Sequence, residues 1–425
     1  MLDIKLIREN PDLVKENMKK KSQDSSSVDK LLDLDKKRLE LMKESQSLRH
    51  SRNELSLQIS QAKKNNDQST AFSLLEKAKN IPVEIAKIEE KLKKIDSDID
   101  KLLLIIPNIM HDSVPIGKDD SENVEIKKWG KIRKFDFEIK NHVEILEQLG
   151  VANFDMSAKT TGNGFYFLKG DLALLNQALI QYAIKFMNDR GYTYIEPPLM
   201  LRKNVLDAAM DTESFKDTIY SIEGEDLHLI GTSEYSLLGM HSGQILQENE
   251  LPKKYFSYSM CFRKEIGSHG INEKGLWRTH QFNKVEQFVF CKPEDSYKYY
   301  DELLENSEQL FQNLELPYRV IECCSGDLAT WKAKSCDIEV WRPTIESYGE
   351  VTSLTNCTDF QARGLGIRIA YNDGNRAVLH TLNNTAIATS RALVGIIENY
   401  QEKDGSITIP KVLRPYVGKD KILKQ

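Results

Sequence analysis

The run Phe262-Arg263-Lys264-Glu265 is followed, seventeen residues after its glutamate, by Phe282 in His280-Gln281-Phe282. Two strands joined by a long loop would present a permanent cation, a carboxylate and an aromatic ring on one surface. That set suits ATP. Arginine meets phosphate oxygens, glutamate accepts from an exocyclic amine, and phenylalanine stacks on a purine. A lone Arg-x-Glu is equally what a surface salt bridge looks like, so its company decides.

Phosphate binding by a glycine-rich loop is unsupported. Gly-x-x-x-x-Gly-Lys-[Ser/Thr] is absent, and neither Gly162-Asn163-Gly164 nor Gly364-Leu365-Gly366 completes Gly-x-Gly-x-x-Gly. An ATP site must then be built from arginines and a metal. Arg263 and Arg278 flank the motif loop, and Arg391 lies near the start of a C-terminal helical run. Glu350 and Ser353, in Glu350-Val351-Thr352-Ser353, offer two hard oxygens for Mg²⁺ shared with phosphates. Each taken alone is more often a solvated polar residue. A second group, Thr232-Ser233-Glu234 with Glu286 and Thr385, suits a small polar amine. Thr232-Ser233-Glu234 reads equally well as a helix N-cap with a first-turn acid, and local spacing does not separate the two.

The elements that position these residues fall into two halves. Leu34, Leu41, Leu48, Leu55 and Ala62 recur every seven positions, beside a half-polar series of Leu31, Arg38, Ser45, Arg52 and Ile59. After the polar stretch from Lys63 to Thr70, Ile85, Ile88, Leu92, Ile95, Ile99, Leu102 and Ile106 alternate spacings of three and four. Two seams with one short break predict an antiparallel helical hairpin, a coiled coil over about 28–106, with a first helix about 48 Å long from Leu31 to Ala62. Pro82 predicts a kink or break near Asn80-Ile81. Leu2 to Lys21 reads as a short helix turning at Asn10-Pro11, and Ser25-Ser26-Ser27 as a joint and N-cap.

Residues 1–106 thus form an arm, and 107–124, with Pro107, Pro115 and Gly117, a linker. From 125 to 425, short β-rich runs (Phe165 to Leu168, Tyr255 to Tyr258, Gln287 to Phe290) mix with helices at Leu172 to Met187 and Ile387 to Gln401. Without strict βαβ alternation, the expectation is an α+β domain around an antiparallel sheet flanked by helices.

The net charge of −5 with 29% charged residues advertises no global basic field, so contact with a polyanion must be local. The arm from Lys30 to Ile106 carries 16 Lys/Arg against 13 Asp/Glu. No apolar run is long enough to cross a bilayer, and the N-terminus has no signal-peptide core. Six cysteines without a Cys-x-x-Cys pair read as reduced thiols of a cytoplasmic protein.

These segments, in this order, resemble the seryl-tRNA synthetases, a branch of the class II aminoacyl-tRNA synthetases, over essentially the whole chain. The resemblance rests on the arm, on Ile106-Pro107-Asn108-Ile109-Met110-His111-Asp112-Ser113-Val114-Pro115, and on Pro410-Lys411-Val412-Leu413-Arg414-Pro415-Tyr416. Gly191 to Pro198 looks like the first class-defining motif, Phe262 to Phe282 the second, and Asn383 to Arg391 the third. It implies a homodimer through the first motif, and a serine–tRNA ligase that forms seryl-adenylate from ATP and then charges tRNA(Ser), held by the arm; members often charge tRNA(Sec) too.

The resemblance also implies residue roles. Arg263, in the run with Lys264 and Glu265, would hold the α-phosphate, with Glu265 at the adenine end, Phe282 stacked on the base and Thr279 in the same nucleotide-contacting loop. Arg278 and Arg391 would grip the outer phosphates, and Glu350 with Ser353 would place Mg²⁺, the stretch through Val351 and Thr352 contacting the nucleotide. Thr232, Ser233 and Glu234 would take the serine ammonium, while Glu286 and Thr385 read its hydroxyl. Bacterial members usually carry Asn-Gly-Ser-Gly where this chain has Asn383-Asn384-Thr385-Ala386, which is closer to archaeal and eukaryotic forms. The zinc-dependent branch lacks such a coiled coil, so no zinc is expected. The rival readings are an amino acid:carrier-protein ligase and a non-catalytic paralogue.

Overall fold

The structure is a computed structural model and describes residues 1–265 and 274–424; the middle of the Phe262–Phe282 motif lies outside the described residues. The chain divides into two units, Leu2–Ile106 and Pro107–Gln425.

In the first unit, α1 (Ile4–Glu9) and α2 (Pro11–Lys20) part at Asn10, and Pro11 occupies the first turn of α2, where a missing N–H costs nothing. The long helices α3 (Ser26–Lys64) and α5 (Ile81–Ile105) are joined through α4 (Gln68–Ala78). Both seven-residue series of α3 contribute to one seam. Leu31, Ser45 and Ala62 are buried, and Leu34, Leu41, Leu48, Leu55 and Ile59 are half-buried, whereas Arg52 is exposed. Facing them, Ile85, Ile88 and Ile99 are buried and Leu92, Ile95 and Leu102 half-buried. Arg38 Nε–Asp96 (2.6 Å) and Arg49 Nη2–Glu89 (2.6 Å) tie the two helices along their length.

Two details differ from expectation and one agrees with it. The polar break is more than a turn: Asn66 takes the left-handed conformation (φ +57°) and Asp67 caps α4 by accepting from Thr70 N (3.0 Å). The interruption expected near Asn80-Ile81 is there as a break at Lys79-Asn80, which places Pro82 in the first turn of α5. Ser25 makes no side-chain cap on α3; Asp24 accepts from Ser26 N instead (3.0 Å).

The second unit is built on an eight-stranded sheet. Its strands in chain order are β1 (Val124–Trp129), β2 (Thr193–Tyr194), β3 (Lys253–Phe262), β4 (Gln281–Cys291), β5 (Tyr318–Glu322), β6 (Lys334–Arg342), β7 (Ser347–Thr358) and β8 (His380–Ala388). Their spatial order is β1-β5-β6-β7-β8-β4-β3-β2, antiparallel throughout except for the β2–β3 pair. One face is covered by α6 (Gly170–Asp189), α8 (Ser296–Asn313) and α9 (Thr389–Asn399), whose Leu172, Leu179, Leu303, Phe311, Leu393 and Ile397 share the main core with the sheet. The short α7 (Glu234–Gly239) brings Leu237 and Leu238 to the opposite face with Tyr255, Phe288 and Phe290. Central strands β4 and β8 are buried on both faces, so they read as nearly unbroken runs rather than alternations.

Some boundaries shift. The expected helix from Ile387 begins at Thr389 because Ile387 and Ala388 complete β8. Within Phe165 to Leu168 only Phe167 and Leu168 pair, with Ala152 and Asn153. Residues 107–124 lie against the sheet domain: Asn108 donates to the carbonyls of Trp331 (3.0 Å) and Cys357 (2.8 Å). All six cysteines are buried and free, and among the described residues no helix is long and apolar enough to cross a membrane.

Candidate active site

Side chains on a strand alternate between faces, and this period builds the site. On β4, Val285, Val289 and Cys291 enter the main core, so Phe282, Lys284 and Glu286 share the other face. On β8, Leu382 belongs to the core while Asn383 and Thr385 line a cavity of about 400 Å³. On β7, residues three apart would ordinarily face opposite ways. A bulge at Val351, where Ile338 pairs with Thr352 but Glu339 with Glu350, restores Glu350 and Ser353 to the same wall.

One end of the cavity carries the ATP-type residues. Arg263, Glu265, Arg278, Thr279, Phe282, Glu350, Val351, Ser353 and Arg391 all line it. Arg263 is oriented by donating Nε to Gly231 O (3.1 Å), and its guanidinium lies 5.4 Å from the Phe282 ring centroid. Glu265, in a left-handed conformation (φ +50°), accepts from Arg278 Nη1 at 3.4 Å. The Thr279 hydroxyl is buried with no partner among the described residues, an orphan that a bound nucleotide would satisfy. Burial raises the Glu350 carboxyl, but Arg391, Lys332 and Arg263 outweigh it and hold the group below its ordinary value.

The hard-oxygen pair fits a divalent cation shared with phosphates. Glu350 and Ser353 lie on one wall, and behind them Asp337, paired with Ser353 across the sheet, has a buried Oδ1 without a partner among the described residues. Burial, and then the neighbouring Glu350, push the Asp337 carboxyl up to about 7.

At the other end, two buried acids face each other through an amide. Asn383 Nδ2 donates to Glu234 Oε2 (3.0 Å) and to Glu286 Oε1 (3.2 Å). Gln361 Nε2 donates to Glu234 Oε1 (2.8 Å), and Lys284 ion-pairs with Glu286 while also reaching Thr232 Oγ1 (3.2 Å). Burial, and then the charge of Glu286, push the Glu234 carboxyl up to about 7. An ammonium bound at this end would offset the repulsion between the two acids and favour the charged form of Glu234.

Four candidate residues, Ser233, Thr352, Lys264 and Glu286, do not reach the cavity wall. Ser233 is fully buried and makes no cap on α7; its Oγ accepts instead from Ser257 (2.6 Å). Thr352 is buried and shares its parity with Leu354, which packs in the main core. Lys264 turns its ammonium toward the Tyr220 ring (5.5 Å). Glu286 is fully buried and touches the cavity through Thr232, Lys284 and Asn383. Sequence reasoning missed Lys284 and Asn383, although period two from Phe282 and Thr385 marks both. Gln361 and Trp277 carry no such signal, because a short helix and the motif loop deliver them from elsewhere in the chain.

Comparison with known proteins places the chain in a family. The tRNA synthetase class II core domain (G, H, P, S and T) matches residues 216–400, and the seryl-tRNA synthetase N-terminal domain matches residues 1–110. The serine–tRNA ligase of Methanocella arvoryzae is 45% identical over 98% of this chain and 99% of its own length, and that of Nitrosopumilus maritimus 41% identical over 99% and 100%. The structure of seryl-tRNA synthetase from Pyrococcus horikoshii complexed with ATP superposes with a TM-score of 0.93 at 42% identity, covering all of both chains. That of the cytoplasmic serine-tRNA ligase from Naegleria fowleri with AMP gives 0.87 at 32% identity, over 100% of this chain and 99% of its own. With both family domains present and full-length relatives this similar, the chain belongs to the seryl-tRNA synthetase family of class II aminoacyl-tRNA synthetases.

Proposed function

We infer that the protein is a serine–tRNA ligase, which activates L-serine with ATP and transfers it to tRNA. The observation that carries this reading is one cavity with arginines at one end and an amide-bridged acid pair at the other. ATP matches the first end and a hydroxylated amino acid the second.

A serine carboxylate oxygen attacks the α-phosphorus, the bond to the bridging oxygen breaks, and pyrophosphate leaves, giving seryl-adenylate. A terminal ribose hydroxyl of tRNA then attacks the acyl carbon, and AMP leaves. The protein needs no covalent nucleophile, since positioning and charge neutralisation suffice for the first step. Arg263 meets the α-phosphate, Arg278 and Arg391 hold the outer phosphates, and Glu265 with Phe282 receives the adenine. Glu350 and Ser353 would hold Mg²⁺, which neutralises phosphate charge when bound. Glu234 and Thr232 take the ammonium; Thr385 and Glu286 read the hydroxyl. Alanine lacks the hydroxyl that these groups read and forfeits its hydrogen bonds, so the site disfavours it.

The arm is assigned to tRNA(Ser), with tRNA(Sec) as a second acceptor; its excess of Lys/Arg over Asp/Glu supports contact with the phosphate backbone. A homodimer through the first motif is supported by Tyr194, Leu199 and Met200, apolar and exposed beside the sheet-edge strand β2. The cytoplasm is the assigned compartment, supported by six free thiols. Pyrophosphate exchange across the twenty amino acids, with serine tRNA added for charging, tests the whole reading. A carrier-protein ligase would exchange without charging tRNA, and a non-catalytic paralogue would do neither.

A further inference from the structure

Trp277 belongs to none of the groups assigned above, yet its ring borders the cavity and meets two arginines. The Arg342 guanidinium carbon lies 4.2 Å from the indole centroid and that of Arg391 5.4 Å. A Cβ on Gly349, next to Glu350 in β7, would come within 2.5 Å of the ring's Cη2 and Cζ2. Glycine there leaves the bed on which the indole rests.

The tryptophan is fastened from behind. Leu276 N donates to His142 Nε2 (3.1 Å), which leaves the imidazole proton on Nδ1 to donate to Glu398 Oε1 (3.2 Å). Arg342 donates to the same carboxylate through Nη2 (2.8 Å) and Nε (3.3 Å). Thus Glu398, fully buried, anchors both the backbone before the indole and the cation against it. Gly275 completes the fit, since a Cβ there would fall 2.5 Å from His142 Nε2.

We propose that Trp277 is a positioning residue for ATP: its anchored indole holds the Arg391 guanidinium in place for the outer phosphates. The inference rests on the reading of Arg391 as a phosphate ligand. The chemistry distinguishes the indole from the other partner of Arg391. Glu350 accepts N–H bonds, so phosphate oxygens compete with it for the same donors. The indole attracts the guanidinium through its π system and leaves the N–H groups free. Its hold persists when phosphate arrives, so the arginine is ordered before binding and spends less binding energy on ordering.

Pyrophosphate exchange with separate KM and kcat values tests this in the full-length enzyme. Trp277→Leu is expected to raise KM for ATP by about tenfold or more, with KM for serine within about twofold, and Trp277→Phe to restore most of the loss. Gly349→Ala, which drives a methyl into the ring without removing the indole, is expected to give the same ATP-selective defect. Equal losses in the Leu and Phe variants, an unchanged KM for ATP in Trp277→Leu, or a matching rise in KM for serine would each overturn the proposal. Arg391→Ala is run in parallel. If it leaves exchange intact, the phosphate reading of Arg391 fails, and the role of Trp277 falls with it; if Arg391→Ala is crippled while Trp277→Leu is normal, only the role of Trp277 fails.

Discussion

Arg391 holds Glu350 at two points, donating Nη1 to its backbone carbonyl at 2.9 Å and meeting its carboxylate at 3.0 Å. The residues lie on α9 and β7, 41 positions apart. The contact fixes where a cation and a hard-oxygen ligand face the same cavity before any phosphate enters. Replacing Arg391 by lysine keeps the charge but loses the planar fork, so it should lower kcat for exchange by about 10-fold, and alanine by about 10²–10³-fold. Steady-state exchange at saturating serine measures both.

Arg263→Ala should abolish serine-dependent exchange while leaving the fold intact. The side chain's polar contact is with Gly231 O, so circular dichroism should be unchanged and the thermal midpoint nearly so. Near-normal exchange would remove Arg263 from the site.

Glu234 predicts a pH dependence with a definite sign. Its carboxyl is raised from the ordinary 4.5 to about 7, so the folded chain holds a proton that the unfolded chain has released between those values. Its contribution to stability therefore falls as pH rises from about 4.5 to about 7 and is level above. Serine binding runs the other way, because the ammonium needs the carboxylate. KM for serine should drop as pH climbs through about 7, and Glu234→Gln should flatten both dependences and raise KM at every pH. Exchange kinetics and thermal melts across that range check each half.

In the arm unit, Asp35 is buried and accepts from Arg8 through both oxygens, at 2.8 and 3.1 Å. Asp35→Ala should destabilise that unit by about 1–3 kcal/mol, less than for a fully buried pair because Arg8 is partly exposed and rehydrates. Urea unfolding followed by helical dichroism reports it.

Arg49 and Glu89 meet across the hairpin, so removing Arg49 to Glu90 and closing Leu48 to Lys91 with a short Gly/Ser loop joins two helices that already lie side by side. The shortened enzyme should keep serine-dependent exchange and lose tRNA charging. Charging at the full-length rate would make the distal arm structural only.

The seams of α3 and α5 were legible in sequence because helical period and heptad spacing are local properties, and so was the pairing of arginine, glutamate and phenylalanine in the second motif. The parity of Phe282 and Glu286 on β4 was legible for the same reason. Other features depend on neighbours distant in sequence. The bulge at Val351 exists because of the pairing with β6, and it alone brings Glu350 and Ser353 to one wall. Asn383 joins two acids from α7 and β4, and its amide was silent until the sheet order placed β8 beside β4. Trp277 reads in sequence as one aromatic in a loop; only packing on Gly349 and Arg342 sets it against Arg391. The elements and the residue types of the site follow from short-range period and side-chain chemistry, which are properties of the chain before it folds. Tertiary structure decided which side chains share the cavity and what charge Glu234 carries, because burial and long-range pairing exist only in the folded chain.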